Sequence, residues 1–320
     1  STRVRSSAAS DVYKRQFLSH NLDYTVVPIE QISSAKSLTG ALKGSYHDVP
    51  ILGNRQIQMN YLAKPFDNVK VRQAFMLALN RTLISNTLFH GVYQPTNRLI
   101  PAPEYGSSPT EVPGPDGTTN FSGNPTLAKQ LLIEGLKEDG YTLATMPPVS
   151  FTVVNNTNPL GRANAYIDEW KTVLGVNVKL NAVTADQDSK LIYSNQGKST
   201  LSMWDYGWQD DYPDPQDWIT KFFGAGSNIN NENYGQNNSA TAAQQQALQK
   251  QMLAADVNPD PNARSLAYQA IEKQLVQQVA YIPIAQLSSY YVLNPKIHGY
   301  QEDAFGVIAP DDWANIYVTQ

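Results

Sequence analysis

The residues most able to do chemistry sit together in one stretch, WDYGWQDDYPDP, positions 204–215. It crowds Asp205, Asp210, Asp211 and Asp214 among Trp204, Tyr206, Trp208 and Tyr212, with Gly207 between the rings. A carboxylate placed there can hold an ammonium group, and stiff aromatic rings can wall it. The same letters fit a solvated acidic turn with Trp204 and Trp208 in the core. They also fit a carboxylate pair for glycoside hydrolysis with Asp210 or Asp211 as one member, which requires a separation that sequence does not fix. A calcium loop of the EF-hand kind fits poorly, because no Gly follows the third acidic position.

Elsewhere the chain offers little to a catalyst. His20, His47, His90 and His298 show no i, i+4 pairing and no HExxH spacing, so no metal site is assigned. With no cysteine there is no disulfide, thiolate ligand or Cys nucleophile. GxSxG, Walker and GxGxxG motifs are absent. A dispersed Ser/His/Asp triad stays open, with nothing arguing for one. No catalytic residue and no cofactor is therefore assigned. The net charge of −4, with no Lys/Arg stripe, gives no footprint for nucleic acid. No apolar run of about 18 residues is present to span a membrane. Residues 1–16 lack periodicity and read as a tag or sequencing scar.

The elements that must position the acidic-aromatic stretch follow from periodicity. Leu201 to Trp208 reads as a strand running into the loop 209–215. Val149 to Val154, a helix marked by Leu160, Ala163, Ile167, Trp170 and Leu174, and the alternation Val176 to Ala182 form a strand–helix–strand unit. Such a crossover implies a parallel pair. In open α/β sheets, loops leaving the carboxyl ends of strands line ligand crevices. Val71, Ala74, Phe75, Ala78 and Leu79 make one helical face, and Asn80 reads as the cap of a second helix. Further strands are expected near Tyr24 and over Ile51–Tyr61, and two short ones over Tyr281–Leu293. Helices are expected over 125–136, 241–255 and 261–278, and a short one ends at Phe222 and Phe223. Pro95 to Pro125 reads as a long loop, and such loops are often functional or wrapped on the surface. The class is α/β. A length of 320 residues suits one large or two smaller lobes.

KPFDNVKVRQAFMLALNR, residues 64–81, resembles the signature helix of the family-5 extracellular solute-binding proteins, which serve peptide, dipeptide and nickel importers. The resemblance continues through Leu99-Ile100-Pro101, residues 128–132 and 174–180, Gly207-Trp208 before Asp211-Tyr212 and Pro215, and Pro283-Ile284. It covers residues 17–320. It implies a periplasmic-binding-protein-like type II (cluster C) fold, a two-lobe hinged trap. Residues 17–67 would be a remnant of the amino-terminal lobe, 68–285 the carboxy-terminal ligand-binding lobe, and 286–320 a return to the first. Family members carry more chain before the point matching Phe17. The resemblance further implies a monomeric, non-enzymatic component of an ABC importer. It would bind short peptides and deliver them to a permease in the cytoplasmic membrane. Its location would be periplasmic, or cell-surface as a lipoprotein. Asp211 matches the position that holds a peptide's α-ammonium, with Gly207, Trp208 and Tyr212 around it, Trp204 near the cleft and Tyr234 as a further ligand contact. One departure stands out: Asp205 occupies a place where some oligopeptide binders have Arg. Other members bind nickel complexes, haem or oligosaccharides.

Overall fold

The computed structural model describes residues 15–19 and 21–319. His20 lies outside them, as does the segment read as a scar except for its last two residues. Seven strands make one mixed sheet: β1 (Tyr24–Val26), β2 (Tyr46–Met59), β3 (Gln94–Pro95), β4 (Val149–Val154), β5 (Val178–Val183), β6 (Met203–Gln209) and β7 (Ile282–Leu293). Their order is β1-β7-β2-β6-β4-β5, with β3 beside β7. The helices are α1 (Ile32–Lys36), α2 (Val69–Leu77), α3 (Arg81–Leu88), α4 (Pro125–Glu138), α5 (Thr157–Leu174), α6 (Ala185–Tyr193), α7 (Thr220–Phe223), α8 (Ala242–Asp256) and α9 (Pro261–Gln278). A two-stranded sheet, β8 (Ile297–His298) with β9 (Tyr317–Val318), closes the tail that sequence left irregular.

The expected parallel pair is present: β4 and β5 run together from Val149 opposite Val178 to Val154 opposite Val183, with α5 as the crossover. Gly175, at φ 71°, ends that helix in a left-handed conformation that a side chain disfavours. Asn68 caps α2 by accepting from Lys70 N–H at 2.9 Å, and Asn80 caps α3 through Leu83 N–H at 2.9 Å. The predicted face of α2 (Val71, Ala74, Phe75, Ala78 and Leu79) is wholly buried, and α2 packs on α4 and α5. Phe75 and Trp170 lie 5.2 Å apart there. A second core, on Trp218, Phe222, Phe223, Tyr234 and Tyr281, holds α7, α8 and α9.

Two charged residues of the 64–81 motif brace this frame. Arg72 is fully buried and donates to the Phe66, Gln278 and Val279 carbonyls, its guanidinium 4.1 Å from the Tyr61 ring. A cation on the carbonyls that end α9, which lack a partner within the helix, suits the helix dipole. Arg81 donates to the Thr96 and Pro283 carbonyls, both at 2.8 Å, pinning the start of the long loop. Glu272 accepts from Leu99 and Ile100 N–H, and Gln277 donates to Pro113 and Gly114 carbonyls, so α9 holds the long loop at two points, the first of them buried.

Three elements differ from the reading of the sequence. β2 starts at Tyr46 and runs to Met59. β7 is one strand of 12 residues, because its mid-strand Gln286 satisfies its amide on the Ile51 and Ala102 carbonyls rather than breaking the ladder. Helix α6 was missed, although Thr184 and Gln187 make a capping box at its start. β2, placed by sequence in the 17–67 remnant, lies between β7 and β6 in the main sheet.

Candidate functional site

β6 pairs antiparallel with β2, Gly207 opposite Arg55, and β6 is parallel to β4. Its carboxyl end delivers Asp210 and Asp211 into a loop closed by a 3-10 turn at Pro215–Asp217 and then by α7. Asp214 starts that turn by accepting from Gln216 N–H at 2.8 Å, and Arg264 of α9 grips its carboxylate at 2.7 and 2.8 Å.

Asp217 organises the site. It is fully buried, and its Oδ2 accepts from Trp208 Nε1 at 2.8 Å and from the Asp211 N–H at 3.0 Å. Its Oδ1 accepts from Lys221 Nζ at 2.6 Å. One carboxylate therefore fixes the indole, the backbone beneath Asp211 and the nearby ammonium. Trp208 stacks on Tyr206 and meets the edge of Phe222 at 5.3 Å. Tyr212 is exposed and donates to Gln216 Oε1 at 3.1 Å. The Asp211 carboxylate is 60% exposed and pairs with Lys221. Lys221 Nζ lies 4.4 Å from the centre of the Trp208 ring and 5.6 Å from that of Tyr212. Burial works against its charge, yet the hydrogen bonds it donates to Asp211 and Asp217 carry its pKa above the ordinary lysine value.

The structure brings Asp211, Trp208 and Tyr212 together. It places Trp204 and Tyr234 in the interior, each fully buried. Trp204 donates to Gln58 Oε1 at 2.6 Å and packs with Ile192 and Leu201, while Tyr234 donates to Gln278 Oε1 at 3.0 Å. Neither offers surface to a ligand, because each ring is covered by its own core. Gly207 serves a close approach: a Cβ there would lie 2.7 Å from the Arg55 guanidinium. Asp205, on the same face, takes Arg162 at 2.6 Å and Arg55 at 3.8 Å.

Asp210, considered above for hydrolysis, is buried against Glu104. The two carboxyls face each other with the buried Trp218 indole beside them, and no cationic side chain pairs with either among the described residues. Burial pushes both acids well up, reinforced by negative neighbours: Asp210 for Glu104, Asp217 for Asp210. Such a pair holds a proton rather than two charges. Among the described residues no group of three or more His, Cys, Asp or Glu is arranged to hold a metal, and no helix is long and apolar enough to cross a membrane.

Sequence reasoning missed Asp217 and Lys221. Their i, i+4 spacing beside the motif was the available signal.

The model of the bacterial extracellular solute-binding proteins, family 5 Middle, matches residues 3–230. The chain is 30% identical over 285 residues to the probable deoxycholate-binding periplasmic protein YgiS of Escherichia coli strain K12, covering 87% of this chain and 48% of that protein. It is 25% identical over 293 residues to the oligopeptide-binding protein OppA of Bacillus subtilis strain 168, covering 89% and 49%. The chain spans about half the length of the curated relatives it matches. Haemophilus influenzae OppA, solved in complex with RPPGFSPFR, superposes with a TM-score of 0.72 at 21% identity, over 97% of this chain and 57% of that one. That likeness establishes the fold.

Proposed function

The chain belongs to the bacterial extracellular solute-binding proteins of family 5, and on that premise we propose that the protein containing it is the binding component of an ABC importer for short peptides. In this reading two lobes close over the peptide. Residues 68–285 form the ligand-binding lobe, and 17–67 with 286–320 belong to the other. Asp211 takes the α-ammonium between Trp208 and Tyr212. The loaded protein, a monomer outside the cytoplasmic membrane, periplasmic or lipid-anchored, hands the peptide to a permease. It binds and releases without catalysis.

The observation that carries this reading is the exposed Asp211 carboxylate at the end of β6, with its backbone N–H and its Trp208 wall both fixed by buried Asp217. An exposed ion pair gives under about 1 kcal/mol. At about 4 Å and an effective dielectric near 20, unit charges attract by roughly 4 kcal/mol. Closure of a second lobe is what would move Asp211 from the first regime toward the second.

Calorimetry on the full-length gene product tests it, with a pool of short peptides and the same pool N-acetylated. Acetylation removes the charge that Asp211 would take and leaves Asp211 to Lys221, so the acetylated pool should bind more weakly than the free pool. Asp211→Asn weakens binding of the free pool steeply and of the acetylated pool little. Equal losses would make Asp211 structural.

A non-peptide ligand on the same scaffold is the second reading. It is favoured by the ammonium already on Asp211 and by the 30% identity to a protein named as probably deoxycholate-binding. No heat from either peptide pool selects it, and steroid acid, oligosaccharide, haem and nickel-complex panels then follow.

A further inference from the structure

The place assigned to a ligand's ammonium is taken by one of the protein's own. Lys221 Nζ bonds Asp211 Oδ2 and Asp217 Oδ1 and lies over the Trp208 ring, with Tyr212 beyond. Two carboxylates and two aromatic faces are the surroundings that suit a primary ammonium. The two carboxylates are not equivalent. Asp217 is fully buried, whereas the Asp211 side chain is 60% exposed and that of Lys221 is 20% exposed. A second ammonium can therefore approach Asp211 from solvent but cannot reach Asp217. A ligand ammonium arriving while Lys221 still holds Asp211 Oδ2 finds that oxygen already taken.

Resting on the reading of Asp211 as the ammonium site, we propose that Lys221 is a tethered stand-in for the ligand's amino group. In the empty protein it occupies Asp211 while sharing its one positive charge with Asp217. It yields Asp211, while staying on Asp217, to ligands whose own ammonium binds more tightly. Lys221 thus sets the affinity threshold for amine-bearing ligands and rejects weak monoamines, which gain too little elsewhere to displace it.

The direction of the effect separates this role from a plain support. A residue that merely braces the site weakens all binding when removed. A competitor strengthens binding when removed, and only for ligands that carry the ammonium. The raised pKa of Lys221 supports the role, since it keeps the competitor charged through the neutral range.

The test compares wild type with Lys221→Gln in the full-length product, using the free-amine and N-acetylated short-peptide pools. Gln keeps a donor for buried Asp217 while removing the charge. The expected result is a gain of about fivefold for the free-amine pool, the size of an exposed ion pair, and no gain for the acetylated pool. Equal or weaker binding of the free-amine pool by the variant overturns the proposal. Wild type that binds both pools equally overturns the Asp211 reading itself and takes this one with it, so the two failures are told apart. If Lys221→Gln fails to fold, the Lys221 side-chain ammonium resonance of wild type decides by nitrogen NMR. It shifts on adding free-amine peptide and holds still for the acetylated form if Lys221 is displaced. An unmoved resonance in both titrations overturns the proposal.

Discussion

Arg72 and the Glu104–Asp210 pair are both buried charge, and the molecule treats them in opposite ways. Arg72 sits in the first core with its nitrogens spent on the carbonyls of Phe66, Gln278 and Val279. Glu104 and Asp210 face each other beside the candidate site with no cation to pair with among the described residues. A satisfied buried charge fixes geometry, because every alternative leaves its donors unmade. An acid pair without a counter-charge is a standing cost, relieved by taking up a proton. The frame is thus built for one arrangement. The ground beneath Asp211 is stabilised only in part.

Three substitutions break or sharpen that contrast. Ala78→Glu should have the largest effect. It buries an unpaired charge in the face whose Phe75 meets Trp170, and cooperative thermal unfolding should vanish. A soluble variant with a sharp melt would show that the first core tolerates what the contrast says it cannot. Arg72→Met comes next. It strips the α9 terminal carbonyls of their donor and should cost about 3 kcal/mol in denaturant unfolding. Glu104→Gln should move the other way. Both acids bind a proton more tightly folded than unfolded, so native stability is full below the ordinary carboxyl range near pH ~4 and falls as pH rises through neutrality. The buried pair faces Asp217, Asp211 and Asp214, all of which add negative potential. With one acid gone, the slope should flatten, and stability at pH 8 should rise by on the order of 1 kcal/mol. An unchanged slope in melts across pH 5–9 would return the pair to ordinary solvated acids.

The frame was more legible in the sequence than the site. The α2 face, the Asn80 cap and the β4–α5–β5 unit rest on local periodicity and capping, and all three stand as read. Trp204 and Trp208 show where that information ends. Four apart in a strand, they share a face, so alternation cannot separate them. What separates them is depth: Ile192 and Leu201 cover the first, and the second stands near the strand's end. Tyr234 follows an Asn-rich loop that looks exposed, yet the loop folds inward on its own side-chain amides. Asn230 bonds the Tyr234 carbonyl and Asn233 bonds Asn60. β7 was split in two by its polar middle, whose partners come from segments far along the chain. Asp217 escaped notice because its role depends on three groups converging, and only the Lys221 spacing is local.

The register shift in β2 between Pro50 and Asn54 frees the main-chain groups of Leu52 from the ladder. Its carbonyl accepts from the Asp210 N–H at 3.0 Å, and its own N–H donates to the Ala304 carbonyl at 2.8 Å. One residue thereby fastens the acidic loop to the tail using backbone atoms alone. Side-chain replacement leaves such a joint standing, so alanine scanning would pass over it and evolution can vary the letter at position 52 without cutting it. Only proline, which lacks the donor, would sever the link to the tail.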